Sequence, residues 1–190
     1  MSTHLLGLDI GSSSIKAALV DADSGRVIAA AQSPATEMKI LASRVAWAEQ
    51  DPEQWWQHVC HAAAELRTKQ PAAWQNVAAI GISYQMHGLV LTDSDQRPVR
   101  PSIIWCDSRA VEIGDQAFAD LGRDYCLSHL LNSPGNFTAS KLAWVKRNEP
   151  DVLSRAQYMM LPGDYIALKL TGEASTTAAG LSEGMLWDFK

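Results

Sequence analysis

The sequence predicts an α/β fold built on a mixed sheet, and three observations carry that expectation. Three short strand-like runs separated by turns fill the first thirty residues, a capped helix begins at Asp51, and strand-like and helix-like segments alternate after it. Antiparallel strands followed by alternation is the order expected of one α/β domain.

Leu5 to Asp9 reads as a short apolar strand, Gly11-Ser12-Ser13-Ser14 as a turn, and Ile15 to Val20 as a second strand rich in Ala and β-branched residues. Asp21-Ala22-Asp23-Ser24-Gly25 returns the chain into Arg26 to Ala30. Two hairpin turns give a three-stranded antiparallel meander rather than a strand that runs straight into a helix. Asp51-Pro52-Glu53 is a helix start, with Asp as N-cap, Pro at the first helical position and an acid near the positive end of the macrodipole. Trp56, Val59, Cys60, Ala63 and Leu66 then share a face at helical spacing, and of Trp55 and Trp56 one is expected in the core and one at the surface.

That helix ends before Pro71, and Val77 to Ser83 reads as a buried strand followed by the turn-prone Tyr84-Gln85-Met86-His87-Gly88. Leu89 to Thr92 starts a further strand, Asp93-Ser94-Asp95-Gln96 makes a turn, and Val99 to Trp105 is an apolar run leading into Cys106-Asp107-Ser108-Arg109. A helix covers Val111 to Leu121, and Leu131 to Phe137 is a loop. Ser140 to Arg147 is a helix stopping before Pro150, and a last helix over Asp164 to Leu170 ends at Thr171-Gly172 with Gly in the capping role.

Composition narrows the function classes. The 190 residues allow one domain or one and a fraction. With 16 basic and 21 acidic residues the formal charge is -5, and no basic run stands ready to neutralise a phosphate backbone, so a nucleic-acid partner is not expected. At 47% hydrophobic and 19% charged the chain is too apolar for disorder, and it lacks the long apolar stretch of a membrane span, so no membrane partner is expected either. Cys60, Cys106 and Cys126 are odd in number, without CxxC spacing, which excludes a disulfide scaffold. The N-terminus shows no secretory signal, and the cytoplasm is the expected compartment.

Three segments carry candidate chemistry. In Asp9-Ile10-Gly11-Ser12-Ser13-Ser14-Ile15-Lys16 an acid ends a strand and a glycine with short hydroxylated residues forms the turn. Backbone N–H groups can then approach phosphate oxygens, serine hydroxyls add donors, and Asp9 suits the water shell of a Mg²⁺ carried by those phosphates. The turn is neither a Walker A loop nor a GxGxxG dinucleotide turn, and its alternative is a polar tight turn at a strand end. Tyr84 to Gly88 places Met86 and His87 at the C-terminal edge of a strand, where open α/β sheets bind ligands. His87 would bond a sugar hydroxyl while Met86 supplies apolar contact; the alternative is a solvent-facing loop.

Trp105-Cys106-Asp107-Ser108-Arg109 combines an aromatic platform, an acceptor and a donor fork, which suits a polyol-binding wall or, equally, an Asp–Arg pair capping the next helix with the tryptophan in the core. His58 and His61 lack the i, i+4 spacing of a metal pair.

Together these segments resemble the FGGY carbohydrate kinases of the sugar kinase, actin and heat-shock chaperone ATPase superfamily, and are most similar to their xylulokinase branch. The motifs run in register over nearly the whole chain: Asp9 to Ser14, Trp47-Ala48-Glu49-Gln50-Asp51-Pro52, Gln85-Met86-His87-Gly88, Arg100-Pro101-Ser102-Ile103-Ile104-Trp105 and Leu161-Pro162-Gly163-Asp164-Tyr165. Phe137-Thr138-Ala139-Ser140-Lys141-Leu142-Ala143-Trp144 resembles the family's first signature, with Asn136 where a small or aromatic residue is usual.

The resemblance implies an actin-like, ribonuclease H-like ATPase domain, of which residues 1–190 form a partial N-terminal, sugar-binding lobe without the C-terminal nucleotide domain. It implies ATP and Mg²⁺ as cofactors, with Asp9 important for activity near the metal, through water as an outer-sphere contact. Gly11, Ser12, Ser13, Ser14 and Lys16 would face the nucleotide phosphates. Met86 and His87, with Trp105, would contact the ketose, and Asp107 and Arg109 would touch either the sugar or each other. Glycerol kinases typically carry an Arg-Glu pair where this chain has Met-His, which favours D-xylulose over glycerol. The family's catalytic aspartate in a Gly-rich loop has no counterpart here, since Asp164 starts a helix and Asp188 lies in Leu-Trp-Asp-Phe. The implied activity is phosphorylation of D-xylulose to D-xylulose 5-phosphate by a longer protein, possible as a homodimer. The rivals are a non-catalytic sugar-binding or interaction fragment, and a kinase for ribulose, fuculose, gluconate or glycerol.

Overall fold

The computed structural model describes residues 2–190. In chain order it contains β1 (His4–Ile10), β2 (Ile15–Asp21), β3 (Val27–Ser33), β4 (Glu49–Gln50), α1 (Pro52–Lys69), α2 (Pro71–Trp74), β5 (Val77–Tyr84), β6 (Val90–Thr92) and β7 (Ser102–Ile103). There follow α3 (Val111–Leu121), α4 (Arg123–Tyr125) continued by a π-helical turn Cys126–Leu130, α5 (Thr138–Asn148), α6 (Pro150–Arg155), β8 (Tyr158–Met160), α7 (Pro162–Thr171) and α8 (Ala178–Glu183). The chain divides into two compact units, one built from residues up to Lys39 with Glu53–Gln85, the other from Ile40–Pro52 with Met86–Lys190.

The mixed sheet lies wholly in the first unit, in the order β3-β2-β1-β5. The meander is antiparallel, with Leu6 opposite Leu19 and Asp9 opposite Lys16. β5 returns parallel to β1, Gly7 opposite Gly81, after the crossover through α1 that a parallel pair requires. Leu6, Leu8 and Ile10 on β1 and Ile15, Ala17 and Leu19 on β2 are buried at every second position, the period of a strand with one covered face. On α1 the buried set is Trp55, Val59, Ala62 and Leu66, whereas Cys60 is exposed and Trp56 and Ala63 are half-buried. The expected seam is thus rotated by one residue, because an indole at position 55 brings far more apolar area to the core than a thiol and a methyl at 60 and 63.

A second difference concerns β5. Its apolar run reads as a buried strand, yet most of it is exposed and Ile80 retains 45% of its surface. β5 is a terminal strand of this sheet, paired with β1 along one edge. Burial on both faces needs neighbours that an apolar pattern cannot by itself guarantee.

The second unit holds two short antiparallel pairs, β4 with β7 and β6 with β8, around a core of Leu89, Leu91, Ile103 and Val145 against which Leu142, Trp144 and Met159 pack. α3 has the expected bounds, and α7 ends as expected at Gly172, whose φ of 78° is the left-handed conformation a glycine adopts at a helix C-terminus. α5 begins at Thr138, two residues before the expected start, and Pro150 both stops it and opens α6, since proline fits the first turn of a helix. β4, β8 and α8 were not expected: two or three residues carry no periodicity, and α8 is a six-residue helix rich in small residues.

Gly114 in α3 meets the loop at Gly135, where an added Cβ would fall 1.8 Å from the Gly135 carbonyl oxygen. A glycine-to-alanine change inside a helix ordinarily stabilises by about 1 kcal/mol. At Gly114 the sign should reverse, with a loss of about 1–3 kcal/mol in chemical denaturation as the loop is forced away. Gly81→Ala, whose Cβ would meet nothing within 4 Å, should stay within about 0.5 kcal/mol of the parent.

Candidate functional site

The first group of predicted residues sits at one end of the mixed sheet. Asp9 is the penultimate residue of β1, opposite Lys16 on β2 and Ser83 on β5. Lys16 Nζ lies 3.7 Å from Asp9 Oδ2, with both side chains at least half exposed, so the pair is loose and its charges are open to solvent. Ile10 and Ile15 close the hairpin, leaving Gly11, Ser12, Ser13 and Ser14 as its loop. A Cβ on Gly11 would come 2.9 Å from the Ser14 carbonyl oxygen, which is the local reason for glycine there. Ser13 is exposed and its carbonyl accepts from Met38 N at 2.7 Å, whereas Ser14 is buried. Of these two serines, Ser13 is the one open to solvent.

The register shows more than the sequence did. Gln32, Lys16, Asp9 and Ser83 form one row across all four strands, and Ala30, Ala18, Gly7 and Gly81 form the row two residues further in. Both rows line an open cavity of about 950 Å³. Small side chains in the second row keep its floor low, while the first row, with Glu65 and Lys69 of α1, supplies its polar groups. Gly7, Ala18, Ala30 and Gly81 were not singled out because they come together only once strand order and register are known.

The fit to Mg²⁺ can be tested on these residues. Among the described residues no three His, Cys, Asp or Glu side chains gather into a protein cage for a metal. Mg²⁺ keeps several waters and is held through one or two carboxylates together with substrate phosphates, a role that the accessible Asp9 beside a cationic Lys16 fits.

The second group lies in the second unit. Met86 keeps 54% of its surface exposed and Trp105 keeps 49%, so both present apolar area to the outside rather than to the core. His87 is held from both ends of its backbone. Its N–H and its Nδ1 each lie 2.5 Å from Glu183 Oε1 of α8, and its carbonyl accepts from Lys141 Nζ of α5 at 2.7 Å. Lys141 also donates to the Asn136 carbonyl at 2.8 Å, and the Phe137 ring packs edge-on to the imidazole at 4.1 Å. The next residue is necessarily glycine, since a Cβ on Gly88 would fall 2.5 Å from Pro162 Cγ.

Asp107 and Arg109 form a buried pair. Arg109 Nη2 donates to Asp107 Oδ2 at 2.6 Å, its Nε reaches both carboxylate oxygens at 3.0 Å, and Asp107 Oδ2 also accepts from Ala48 N at 2.6 Å. The guanidinium lies 3.7 Å from the Trp47 ring centroid and 4.9 Å from that of Trp144, and its Nη1 is 2.8 Å from Glu49 Oε1. Glu49 in turn pairs with Arg100, which also holds Glu149 at 2.7 Å. These two residues thus touch each other. The guanidinium is held there by its hydrogen bonds to Asp107, the two indole faces and the ion pair with Glu49. Asn136 Nδ2 donates to the Asp107 carbonyl, tying the residue that departs from the signature into the same loop.

Lys141, Glu183 and Glu49 were not recognised as important. Lys141 carried a usable signal, because Thr138, Lys141 and Val145 fall on one helical face and all are buried, so a lysine occupies a core position. Burial pushes its amine down to about 8, opposed by the nearby carboxylates of Asp107 and Glu183. Burial also raises the Cys106 thiol, which makes it a poor nucleophile.

The fold is of the actin-like ATPase type in the form found in sugar kinases. The structure superposes on xylulose kinase from Rhodospirillum rubrum with a TM-score of 0.89 at 29% identity, covering 98% of this chain and 38% of that one. On gluconate kinase from Lactobacillus acidophilus the TM-score is 0.88 at 25% identity, covering 100% of this chain and 37% of that one. In sequence the chain is 36% identical over 182 residues to the xylulose kinase of Escherichia coli K12, covering 96% of this chain and 36% of that protein. Residues 4–190 match the FGGY family of carbohydrate kinases, N-terminal domain, and the chain belongs to that family. It spans a little over a third of the length of these relatives. Among the described residues no helix is long and apolar enough to cross a membrane.

The nitrogen resonance of Lys141 Nζ should titrate with a midpoint of about 8, against about 10.4 for an exposed lysine. Between those values the unfolded chain binds more protons than the folded one, so this group makes stability rise with pH across that window. A midpoint at the exposed value would mean that the nearby carboxylates and carbonyls offset the cost of burial in full.

Proposed function

We propose that this chain is the N-terminal, sugar-binding portion of an ATP-dependent kinase that converts D-xylulose to D-xylulose 5-phosphate. The observation that carries the reading is the Met86–His87 turn: an exposed thioether beside an imidazole held by Glu183 and Lys141, in a chain 36% identical to a xylulose kinase. MgATP supplies the transferable phosphoryl group and the metal that offsets its charge. Within this chain, Asp9 holds a water of the metal's shell, Lys16 and the amides of the Gly11–Ser14 turn neutralise phosphate oxygens, and Met86 covers the carbon face of the ketose. His87 bonds a sugar hydroxyl and fixes the ketose against rotation. Trp105 adds an aromatic wall, while Asp107 and Arg109 act by keeping the loop that carries Trp105 in place.

The general base that takes the proton of the attacking hydroxyl belongs, in this reading, to a part of the protein not included in these residues. Loss of a base typically costs 10²- to 10⁴-fold, so the isolated chain should bind ketose and turn it over negligibly. Similarity to a gluconate kinase over the whole chain supports a second reading, in which an aldonate is the acceptor.

Calorimetric titration of the 190-residue chain with D-xylulose, D-gluconate and glycerol distinguishes these readings. D-Xylulose should bind in the millimolar range or tighter and more firmly than the other two, and His87→Ala should weaken it about tenfold, the worth of one good hydrogen bond. Preference for gluconate would move the assignment to the second reading. Rapid phosphorylation of xylulose by this chain alone would show that its base lies among these residues.

A further inference from the structure

His87 carries two unfavourable features that the fold alone does not call for. Its φ of 60° places a residue with a bulky ring in the left-handed region, at a cost of order 1–2 kcal/mol. Its partner Glu183 has Oε1 engaged twice, while Oε2 is buried without a hydrogen-bond partner among the described residues. A carboxylate with one oxygen buried and unmatched is a poor device for stability. Both features make sense if the object held is the imidazole itself.

The geometry dictates what is held. Oε1 accepts the His87 backbone N–H, which can only donate, and an ionised carboxylate can only accept. The ring nitrogen 2.5 Å from the same oxygen must therefore donate, which puts the proton on Nδ1. Phe137 packs edge-on to the ring, and Lys141 pins the carbonyl of the same residue, so neither ring nor backbone turns away from Glu183. The ring keeps 23% of its surface exposed, and the nitrogen left for a ligand is Nε2.

We infer that Glu183 is a positioning residue that fixes the His87 proton on Nδ1 and so presents Nε2 as a hydrogen-bond acceptor, selecting a hydroxyl of the sugar over a ketone or carboxylate oxygen at that position. The sugar half of this inference rests on the proposed function; the proton placement does not. Glu183 acts through His87 and touches no substrate.

The test uses the 190-residue chain with nitrogen-15-labelled histidine, first without sugar. At about pH 7.5 His87 should show a proton-bearing Nδ1 and a bare Nε2. A proton on Nε2, in a neutral or a charged ring, overturns the inference. Glu183→Gln keeps an acceptor oxygen and should preserve the pattern, with the D-xylulose dissociation constant within about threefold of the parent. Glu183→Leu keeps bulk without an acceptor; it should lose the pattern and weaken D-xylulose binding about tenfold, with an unchanged circular dichroism spectrum.

A Leu variant that retains the pattern removes Glu183 from the role. One that loses the pattern yet binds D-xylulose like the parent breaks the link between the ring and the sugar. If the parent binds no ketose while the pattern and its loss in Glu183→Leu are as expected, the proposed function falls and the hold of Glu183 on the ring stands.

Discussion

A charge taken out of water has to be met by another charge or by several hydrogen bonds, and the second unit is organised around that requirement. Asp107, Arg109 and Lys141 all have buried side chains in a chain with a core of modest size. Each is matched: Arg109 by Asp107, Glu49 and two indole faces, Asp107 by Arg109 and the Ala48 amide, Lys141 by two carbonyl oxygens. Removing one member of such a set typically costs about 3–5 kcal/mol, because its partner stays behind uncompensated. Segments far apart in sequence, around residues 47–49, 87, 107–109, 136 and 141, are tied to one another by these contacts. The loops of this unit are thereby given one conformation.

The local signals in the sequence were reliable where the cause was local. The hairpin turns, the Pro52 helix start, the Gly172 stop and the bounds of α3 follow from residues within a few positions of each element. They were weaker where the cause was distant. A one-residue rotation of the α1 seam and the exposure of β5 depend on which neighbours cover each face, and hydrophobic period alone does not encode that.

The candidate site divides along the same line. Asp9, Lys16 and the Gly11 turn could be found because they are contiguous, and so could Met86 and His87. Glu183 could not, since it lies 96 residues from the histidine it holds, on a helix whose sequence has no strong period. Lys141 was legible in principle, as a cation on the buried face of α5, but its meaning appears only when the carbonyls it serves are known. The family motifs identified the chain before any contact was known, whereas the pairing of Asp107 with Arg109 and the contact of Glu183 with His87 required coordinates. A charged pair at a spacing of two residues reads equally well as a ligand grip or as an internal brace.

The position of β5 at the end of the mixed sheet has its own consequence. Its outer rim carries the backbone groups of an eight-residue extended segment, flanked by side chains that are mostly open to solvent. Such a rim is a template on which another extended chain can lay itself down, and nothing in Val77-Ala78-Ala79-Ile80-Gly81-Ile82 bears a charge or a proline to discourage it. That rim gives the polypeptide an edge at which self-association would be expected to begin.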